Sequence, residues 1–485
     1  MTTPGKNSSS KLVFGKGTLM ETKEKFSQVQ ERPKTSNLLR VLGPMHIWAL
    51  GVGIVLVGEF MGWNFSIAKG GSLGSIIACW TVGILYVCLV MINTEIGSVI
   101  PEAGGQYAMA KYLLGPLASF NVGLMLVFEY AMLEAADALV VGQILQSLHP
   151  DIQATPYIIL TLLLLTYLNY RGVYATLTLN FFITALAFIT ILILLVGTKF
   201  YSASESLLRI KQFSDGLPYG WIGILAALQF GIWFYLGIEG TALAAEECRS
   251  TSRSLPVGAL VGLVTLLIGA TISWYVCSGL VAAGKLGESV YPLYDAARAT
   301  GKPLIIAALF AGTILSCLAS ANGCINDASR AWFAMARDTL IPEAFAATHP
   351  KYKTPYRAIL FLLPISLAFG FTGLLDQVIT FSILSALLVY LFTPYMMIKF
   401  RSMYPLGSIK RGYTAPWHPV VAYVLLALTM ATLAGMYFGY WVNLLSGLTF
   451  YFLASLWFTF HRSKFVNTKA FLGASAGRWP RPRGY

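Results

Sequence analysis

The chain has 485 residues, of which 56% are hydrophobic and only 11% are charged, and its mean hydropathy is +0.67. This composition excludes a soluble globular protein, and the apolar segments follow one another too closely to leave room for a soluble catalytic domain. The net charge of +13 is compatible with nucleic-acid binding, but the positions of the charges, given below, indicate a membrane topology and no nucleic-acid partner.

The first forty residues are polar, rich in Lys and Ser, and contain no apolar stretch. Residues 1–40 are therefore predicted to form a disordered cytoplasmic tail and not a cleaved signal peptide. A single transmembrane domain is predicted over 41–460, and a second cytoplasmic tail over 461–485.

Twelve apolar segments approach or exceed the length of about 20 residues that a helix needs to cross a bilayer. They are 44–68, 73–99, 117–146, 155–169, 177–200, 219–246, 256–283, 303–334, 357–375, 377–399, 417–438 and 440–460. The division at residues 373–376 is the weakest, so eleven or thirteen spans remain alternatives.

Lys and Arg are distributed unevenly between the two sides of the predicted spans. If the N-terminus is cytoplasmic, 27 of the 34 Lys and Arg residues lie on the cytoplasmic side and seven lie on the other. This excess is typical of cytoplasmic loops. It predicts a multi-pass protein of the plasma or inner cell membrane, surrounded by lipid, with both termini cytoplasmic.

Two predicted spans, the first and the sixth, are interrupted by glycines and carry an acid. The first contains Gly51, Gly53, Gly58 and Gly62 around Glu59, and the sixth contains Trp-Phe-Tyr-Leu-Gly-Ile-Glu-Gly at 233–240. Irregular backbone at membrane depth occurs where it is buried in protein or lines a cavity. Such a pair, one in each half, indicates the binding site of a secondary transporter.

The positions of the two interrupted spans also predict the fold class. Spans one to five and six to ten each begin with an interrupted helix, and an odd number of spans inverts the second set. We therefore predict an all-α polytopic membrane protein of about 12 helices. It would contain a 5+5 inverted repeat (about 42–200 and 217–400), broken first and sixth helices, and two extra C-terminal helices (about 417–460).

Several acids lie inside apolar spans, and residues 70–110, 112–170, 172–198 and 212–248 contain no Lys or Arg. These acids are Glu59, Glu129, Glu134, Asp137 and Glu239. A charge at bilayer depth costs several kcal/mol unless it is paired or faces water. Each acid is therefore expected to bind a cation or to keep a proton, which predicts a cationic substrate and a co-transported proton, with sodium as the alternative ion.

The third span carries three of these acids. At 100° per residue, Asp137 lies about 80° and Glu134 about 140° round the helix from Glu129. All three fit one inward-facing arc and are predicted to carry the coupling ion. Hydrogen bonds to neighbouring polar side chains explain Glu134 and Asp137 equally well.

Further motifs carry a resemblance to a known family. They are Pro-Glu-Ala-Gly-Gly-Gln-Tyr at 101–107, Ala-Ala-Glu-Glu at 244–247, Ser-Leu-Pro at 254–256, Ser-Arg-Ala-Trp-Phe-Ala-Met-Ala-Arg-Asp at 329–338, Leu-Ile-Pro at 340–342, His-Pro at 349–350 and Thr-Pro at 354–355. In type and order they resemble the amino acid–polyamine–organocation (APC) superfamily of permeases, from about residue 42 to about residue 400. Within it, Gly-Glu-Phe at 58–60 and the segment 232–240 are most similar to ethanolamine permeases.

The resemblance implies uptake of amino acids or amines, usually with protons, and no cofactor. Together with the two interruptions it predicts substrate contacts from Leu56, Val57, Gly58, Glu59, Trp233, Tyr235, Gly237 and Glu239. Leu56-Val57-Gly58 aligns with a Gly-Ser/Ala/Thr-Gly stretch of the amino-acid members, from which it departs. Some proton-coupled members carry a lysine in the fifth span, which is absent from 172–198 here.

Two acids near the interruptions favour a small cation without a carboxylate, such as ethanolamine, because Glu59 and Glu239 would repel a carboxylate group. A cationic or neutral amino acid remains the alternative substrate. No HExxH, CxxC or paired-His motif indicates an enzyme or a metal site. A nutrient sensor on a transporter fold is the alternative of another class.

Other charged residues are given structural roles. Asp327 precedes Arg330 by three residues, which predicts an ion pair within one helix. Glu246, Glu247, Arg249 and Arg253 are predicted to form a solvated or gating network at the inner mouth.

Overall fold

The computed structural model describes residues 40–148, 151–198, 216–467 and residue 471. Within these residues the chain is helical, and β-structure is limited to an isolated bridge between Leu42 and Cys248. The predicted all-α fold class is confirmed. Most of the two predicted tails lies outside the described residues.

Fourteen α-helices are present in the described part of the chain. They are α1 Pro44–Met61, α2 Trp63–Val99, α3 Gln106–Leu113, α4 Pro116–Leu148, α5 Ala154–Arg171, α6 Val173–Gly197, α7 Gly220–Trp233, α8 Thr251–Leu280, α9 Ala283–Gly287, α10 Pro292–Ala299, α11 Pro303–Arg337, α12 Tyr356–Gly370, α13 Leu375–Met403 and α14 Val420–Phe460. Short 3₁₀ helices include Ile238–Ala242 and Ala245–Glu247, which follow α7.

Each predicted span corresponds to a helical segment. Eight segments of the described chain are long and apolar enough to cross a membrane, and α4, α5 and the shorter α12 coincide with the predicted third, fourth and ninth spans. The predicted ninth and tenth spans are separate helices, because α12 ends at Gly370 and α13 begins at Leu375. A kink at Tyr440 divides α14 into the predicted last two spans.

The first interruption differs from the predicted one in position. Helix α1 is regular through residues 56–58 and ends at Met61, and Gly62 separates it from α2. The carbonyl oxygen of Gly58 accepts a helical hydrogen bond from the Gly62 amide at 2.8 Å. Leu56, Val57 and Gly58 therefore lie within regular helix, and their contact with a substrate remains a prediction.

The second interruption is a true break. Helix α7 ends at Trp233, and Gly237 adopts φ +106°, a left-handed conformation that favours glycine. The chain then continues as 3₁₀ helix from Ile238 to Ala242. This break leaves Glu239 at the start of a short, irregular segment inside the protein.

Glycines let α1 and the second break pack unusually close together. A Cβ atom at Gly58 would lie 2.3 Å from the Trp233 carbonyl oxygen, and one at Gly237 would lie 2.2 Å from the Ile54 side chain. A Cβ atom at Gly51 would lie 2.6 Å from the Ile238 side chain. Gly51 and Gly58 of α1 therefore serve close packing between the two predicted halves rather than local unwinding. The inverted relation of those halves remains a prediction.

The core of the molecule is built around α1. Every residue from Ala49 to Met61 is buried, and α1 packs against α6, α8 and α11. By contrast α5, α6 and α14 present large apolar side chains at the surface, among them Leu163, Phe182 and Trp441. Exposed apolar side chains on long apolar helices are suited to lipid contact. This arrangement puts the interrupted segments in the protein interior.

Candidate functional site

Glu239, on the second break, is buried and hydrogen-bonded from two directions. The backbone amide of Gly237 donates to its Oε2 at 3.1 Å, and the hydroxyl of Tyr390 on α13 donates to its Oε1. Gly237 and Glu239 were both predicted at the substrate site, and a hydrogen bond within the turn connects them. The break directs the Glu239 side chain into the protein interior, where Tyr390 of α13 contacts it.

Glu129 on α4 faces Glu239. The two carboxyl groups are close enough to interact, both side chains are buried, and neither carboxyl oxygen of Glu129 has a hydrogen-bond partner among the described residues. Ser382 of α13 bonds the backbone carbonyl of Glu129 at 2.7 Å and holds this turn of α4 in place. The structure therefore joins a predicted coupling residue and a predicted substrate residue in one carboxyl pair.

A series of tyrosines extends from the carboxyl pair. The hydroxyl of Tyr390 lies 2.9 Å from that of Tyr86 on α2. The ring of Tyr86 packs against that of Tyr235, with ring centroids 5.3 Å apart, and the Tyr235 hydroxyl lies 3.2 Å from the Cys79 sulfur. Tyr235 is thus held by packing and by a thiol.

Trp233 is also buried, and its indole nitrogen has no hydrogen-bond partner in the described part of the chain.

Glu59 has different surroundings from Glu239. It is buried on α1, and its Oε2 accepts a hydrogen bond of 2.8 Å from Ser273 on α8. The Trp63 indole donates to the same serine hydroxyl at 3.1 Å. Among the described residues Glu59 Oε1 has no hydrogen-bond partner. The two acids of the interruptions therefore do not share a hydrogen-bonding group.

The three acids of α4 face three different partners. Whereas Glu129 meets Glu239, Oε2 of Glu134 accepts a hydrogen bond of 2.8 Å from Ser366 on α12. Asp137 lies beside Ser320 on α11. All three are buried, as the helical arc predicts, but only Glu129 contacts the second break.

Asp327 and Tyr130 also belong to this region, although neither was predicted there. Asp327 is buried on α11, and Asn326 donates to its Oδ1 at 2.8 Å. The predicted ion pair with Arg330 is wrong, since the Arg330 Nε bonds Glu247 at 2.6 Å. Asp327 could have been predicted as a site residue because it is an acid inside an apolar span. The nearby Arg330 led instead to the prediction of an ion pair.

Glu246 and Glu247 form ion pairs, but not with the predicted Arg249 and Arg253. Glu247 pairs with Arg330, and Glu246 pairs with Arg337 at 3.2 Å, so both acids bond α11 and not Arg249 or Arg253. Both carboxylates are nearly buried. The segment after the break is therefore tied to the end of α11 by ion pairs.

Lys111 on α3 joins two acids at the same end of the molecule. Its ammonium lies 2.8 Å from Asp338 and 3.4 Å from Glu102. Burial acts to raise the pKa of Glu102, but Lys111 and Arg337 outweigh it and lower the pKa. For Asp338 burial prevails, and the pKa is raised.

Replacing Lys111 by Met is expected to destabilise the protein by about 3–5 kcal/mol, because Asp338 would stay buried without its cation. Thermal unfolding of the detergent-solubilised protein measures the loss. Lys351→Met, at an exposed lysine, is the control. Equal unfolding temperatures for the two variants would contradict the expectation, and adding Asp338→Asn should restore part of the loss.

Comparison with known proteins agrees with these features. Residues 46–472 match the sequence model of the amino acid permease family. An uncharacterised transporter of Rhizobium meliloti is 53% identical over 458 residues, covering 93% of this chain and 98% of that protein. In Bacillus subtilis, a branched-chain amino acid permease is 22% identical (91% of this chain, 98% of that protein). A methylthioribose transporter from the same organism is 25% identical (82% and 89%).

The family model and these relatives show a membrane transporter and not an enzyme, in agreement with the all-helical fold. The chain belongs to the amino acid permease family, within the APC superfamily. The predicted superfamily is confirmed.

Proposed function

We propose that this permease is a secondary active transporter that moves a small amine, ethanolamine-like in size and charge, together with a proton. The observation that carries the proposal is the buried Glu129–Glu239 pair at the second break. Residues 112–170 and 212–248, which contain both acids, include no Lys or Arg. Arg330 on α11 pairs with Glu247, and we propose that the Glu129–Glu239 pair is neutralised by a proton or by a bound cation.

The carboxyl pair supports proton coupling. Two neighbouring buried carboxylates repel each other unless one of them holds a proton. We propose that this proton is the co-transported ion and that Glu129 carries it, while Glu134 and Asp137 remain secondary candidates. Sodium stays the alternative ion.

The substrate's ammonium group is proposed to lie near Glu239, with Glu59 as the second acid of the site. A carboxylate-bearing substrate would meet the negative charge of these acids, whereas an amine without a carboxylate would not. Trp233 and Tyr235 flank the break and are proposed to line the substrate's path.

An amino acid is the second candidate substrate. The family model and the branched-chain amino acid permease of Bacillus subtilis favour it. The relative named as a methylthioribose transporter, however, carries a substrate that is not an amino acid, so permeases of this kind differ in substrate. The preference for an amine rests on the acids described above.

Uptake into proteoliposomes tests the proposal. Radiolabelled ethanolamine should accumulate under an inward proton gradient without sodium, and unlabelled ethanolamine should compete better than leucine or lysine. Better competition by an amino acid would establish the second candidate. Binding without uptake would instead identify a nutrient sensor, and uptake that follows only sodium would reject proton coupling.

The proposed topology, with both termini cytoplasmic, is tested separately. Glu288, Pro350 and Ser408 are exposed, whereas the native cysteines are buried. A cysteine at 288 should react with an impermeant maleimide on intact cells, and cysteines at 350 and 408 only after permeabilisation. Labelling of 350 on intact cells would invert the topology.

A further inference from the structure

Gly240, next to Glu239 on the second break, is covered by one side chain from each of two other helices. A Cβ atom at Gly240 would lie 1.9 Å from Asp327 Oδ2 and 3.1 Å from the Tyr130 hydroxyl. Both oxygens therefore lie within 3.1 Å of one point above Gly240. Only glycine at this position leaves both side chains where they are.

Neither oxygen is satisfied within the described part of the protein. Asp327 Oδ2 and the Tyr130 hydroxyl have no hydrogen-bond partner there, and both side chains are fully buried. A buried polar group without a hydrogen bond is destabilising. Asp327 Oδ2 and the Tyr130 hydroxyl are therefore two neighbouring buried oxygens that can each accept a hydrogen bond from a polar ligand.

The charge around this point selects the sign of the ligand. Glu129 and Glu239 are close enough to Asp327 to interact with it electrostatically, and Glu247 adds a further negative charge. Arg330 also acts on Asp327; its Nε bonds Glu247 and its Nη1 bonds the Asn326 carbonyl at 2.7 Å, while its Nη2 has no hydrogen-bond partner in the described part of the chain. Four acids, Asp327 included, surround this one arginine, so the surroundings favour a cation.

We propose that Asp327 and Tyr130 form a subsite over Gly240 for the primary ammonium group of the transported substrate. A primary ammonium carries three N–H donors, and the carboxylate and the phenol oxygen each accept one of them. The subsite rests on the proposed function, of which it names the recognition element. Ethanolamine and amino acids both carry this group, so the subsite serves either candidate.

Binding to the purified protein in nanodiscs tests the subsite. Radiolabelled ethanolamine is the probe, with its N-methyl, N,N-dimethyl and N,N,N-trimethyl derivatives as competitors; leucine and N,N-dimethylleucine replace them if leucine is the bound substrate. Wild-type affinity should fall with the second and the third methyl group, because the ammonium then keeps one N–H donor or none for the two oxygens. Asp327→Asn and Tyr130→Phe should each weaken binding of the parent compound about 10- to 100-fold.

Matched controls change the same chemical groups elsewhere. Asp295→Asn removes a partly exposed carboxylate, and Tyr423→Phe removes an exposed hydroxyl, so both should bind like the wild type. If Asp327→Asn does not fold, Tyr130→Phe decides alone, since it keeps the ring and its packing. Wild-type affinity in Tyr130→Phe would overturn the subsite.

Two further outcomes separate the subsite from the function. If the wild type binds and transports neither amines nor amino acids, the proposed function fails. If it transports ethanolamine but discriminates against none of the methylated derivatives, the function stands and the subsite is overturned.

Discussion

Replacing Glu129 by Gln is expected to abolish accumulation of substrate against a gradient while exchange of substrate across the membrane continues. Glutamine keeps the size of the side chain and can still bond Glu239, but it cannot release a proton to either side. Uptake would then stop when the internal and external concentrations are equal. Proteoliposomes with a pH gradient measure accumulation, and counterflow of labelled substrate measures exchange.

Glu134→Gln and Asp137→Asn are the comparisons that make this result specific. Both remove a buried acid from the same helix, but Glu134 bonds Ser366 and Asp137 lies beside Ser320, away from the Glu129–Glu239 contact. We expect both variants to keep accumulation. Loss of accumulation in one of them alone would transfer the coupling role to that residue, and equal loss of accumulation and exchange in Glu129→Gln would indicate a structural role.

Replacing Glu239 by Gln is expected to weaken binding of a cationic amine by about 2–5 kcal/mol, because a buried negative charge beside the cation is lost while the volume is kept. The amide oxygen can still accept the hydrogen bond from the Gly237 amide, and the amide nitrogen can donate to the Tyr390 hydroxyl. Folding should therefore be affected much less than binding. Equilibrium binding of labelled ethanolamine and thermal unfolding of the same preparation separate the two effects.

Glu59→Gln and Tyr390→Phe accompany this experiment. Tyr390→Phe removes a hydrogen bond to Glu239 but leaves the charge, so its effect on amine binding should be smaller than that of Glu239→Gln. Glu59→Gln tests the second acid, which bonds Ser273. If Glu239→Gln binds the amine as well as the wild type does, the proposed ammonium position is wrong, and a large effect of Glu59→Gln alone would move it to the first interruption.

The spans and the buried acids could be predicted because both follow from local composition. A bilayer requires a minimum apolar length, and an acid inside such a length is costly wherever the helix lies. The segment 357–375 and the acid Glu239 are recognisable on these grounds without knowledge of their neighbours. The turn at Gly237 is likewise predicted from a glycine within an apolar run.

The partners of the acids could not be predicted, because they come from distant parts of the chain. Helical periodicity correctly predicted that Glu129, Glu134 and Asp137 face the protein interior. It does not predict which helix lies opposite each of them. The Asp327–Arg330 expectation failed for the same reason, since Glu247, 83 residues away, lies closer to the arginine than its own helical neighbour does.

The sequence by itself determined an all-helical membrane permease with acids at membrane depth and a break at Gly237, because hydrophobic length, charge burial and glycine conformation act over a few residues. Only the tertiary structure decided that Glu129 meets Glu239, that Asp327 and Tyr130 converge on Gly240, and that the glycines of α1 serve close packing. Those contacts depend on how helices approach one another, which is set by the shape of whole interfaces and not by the spacing of residues along one helix.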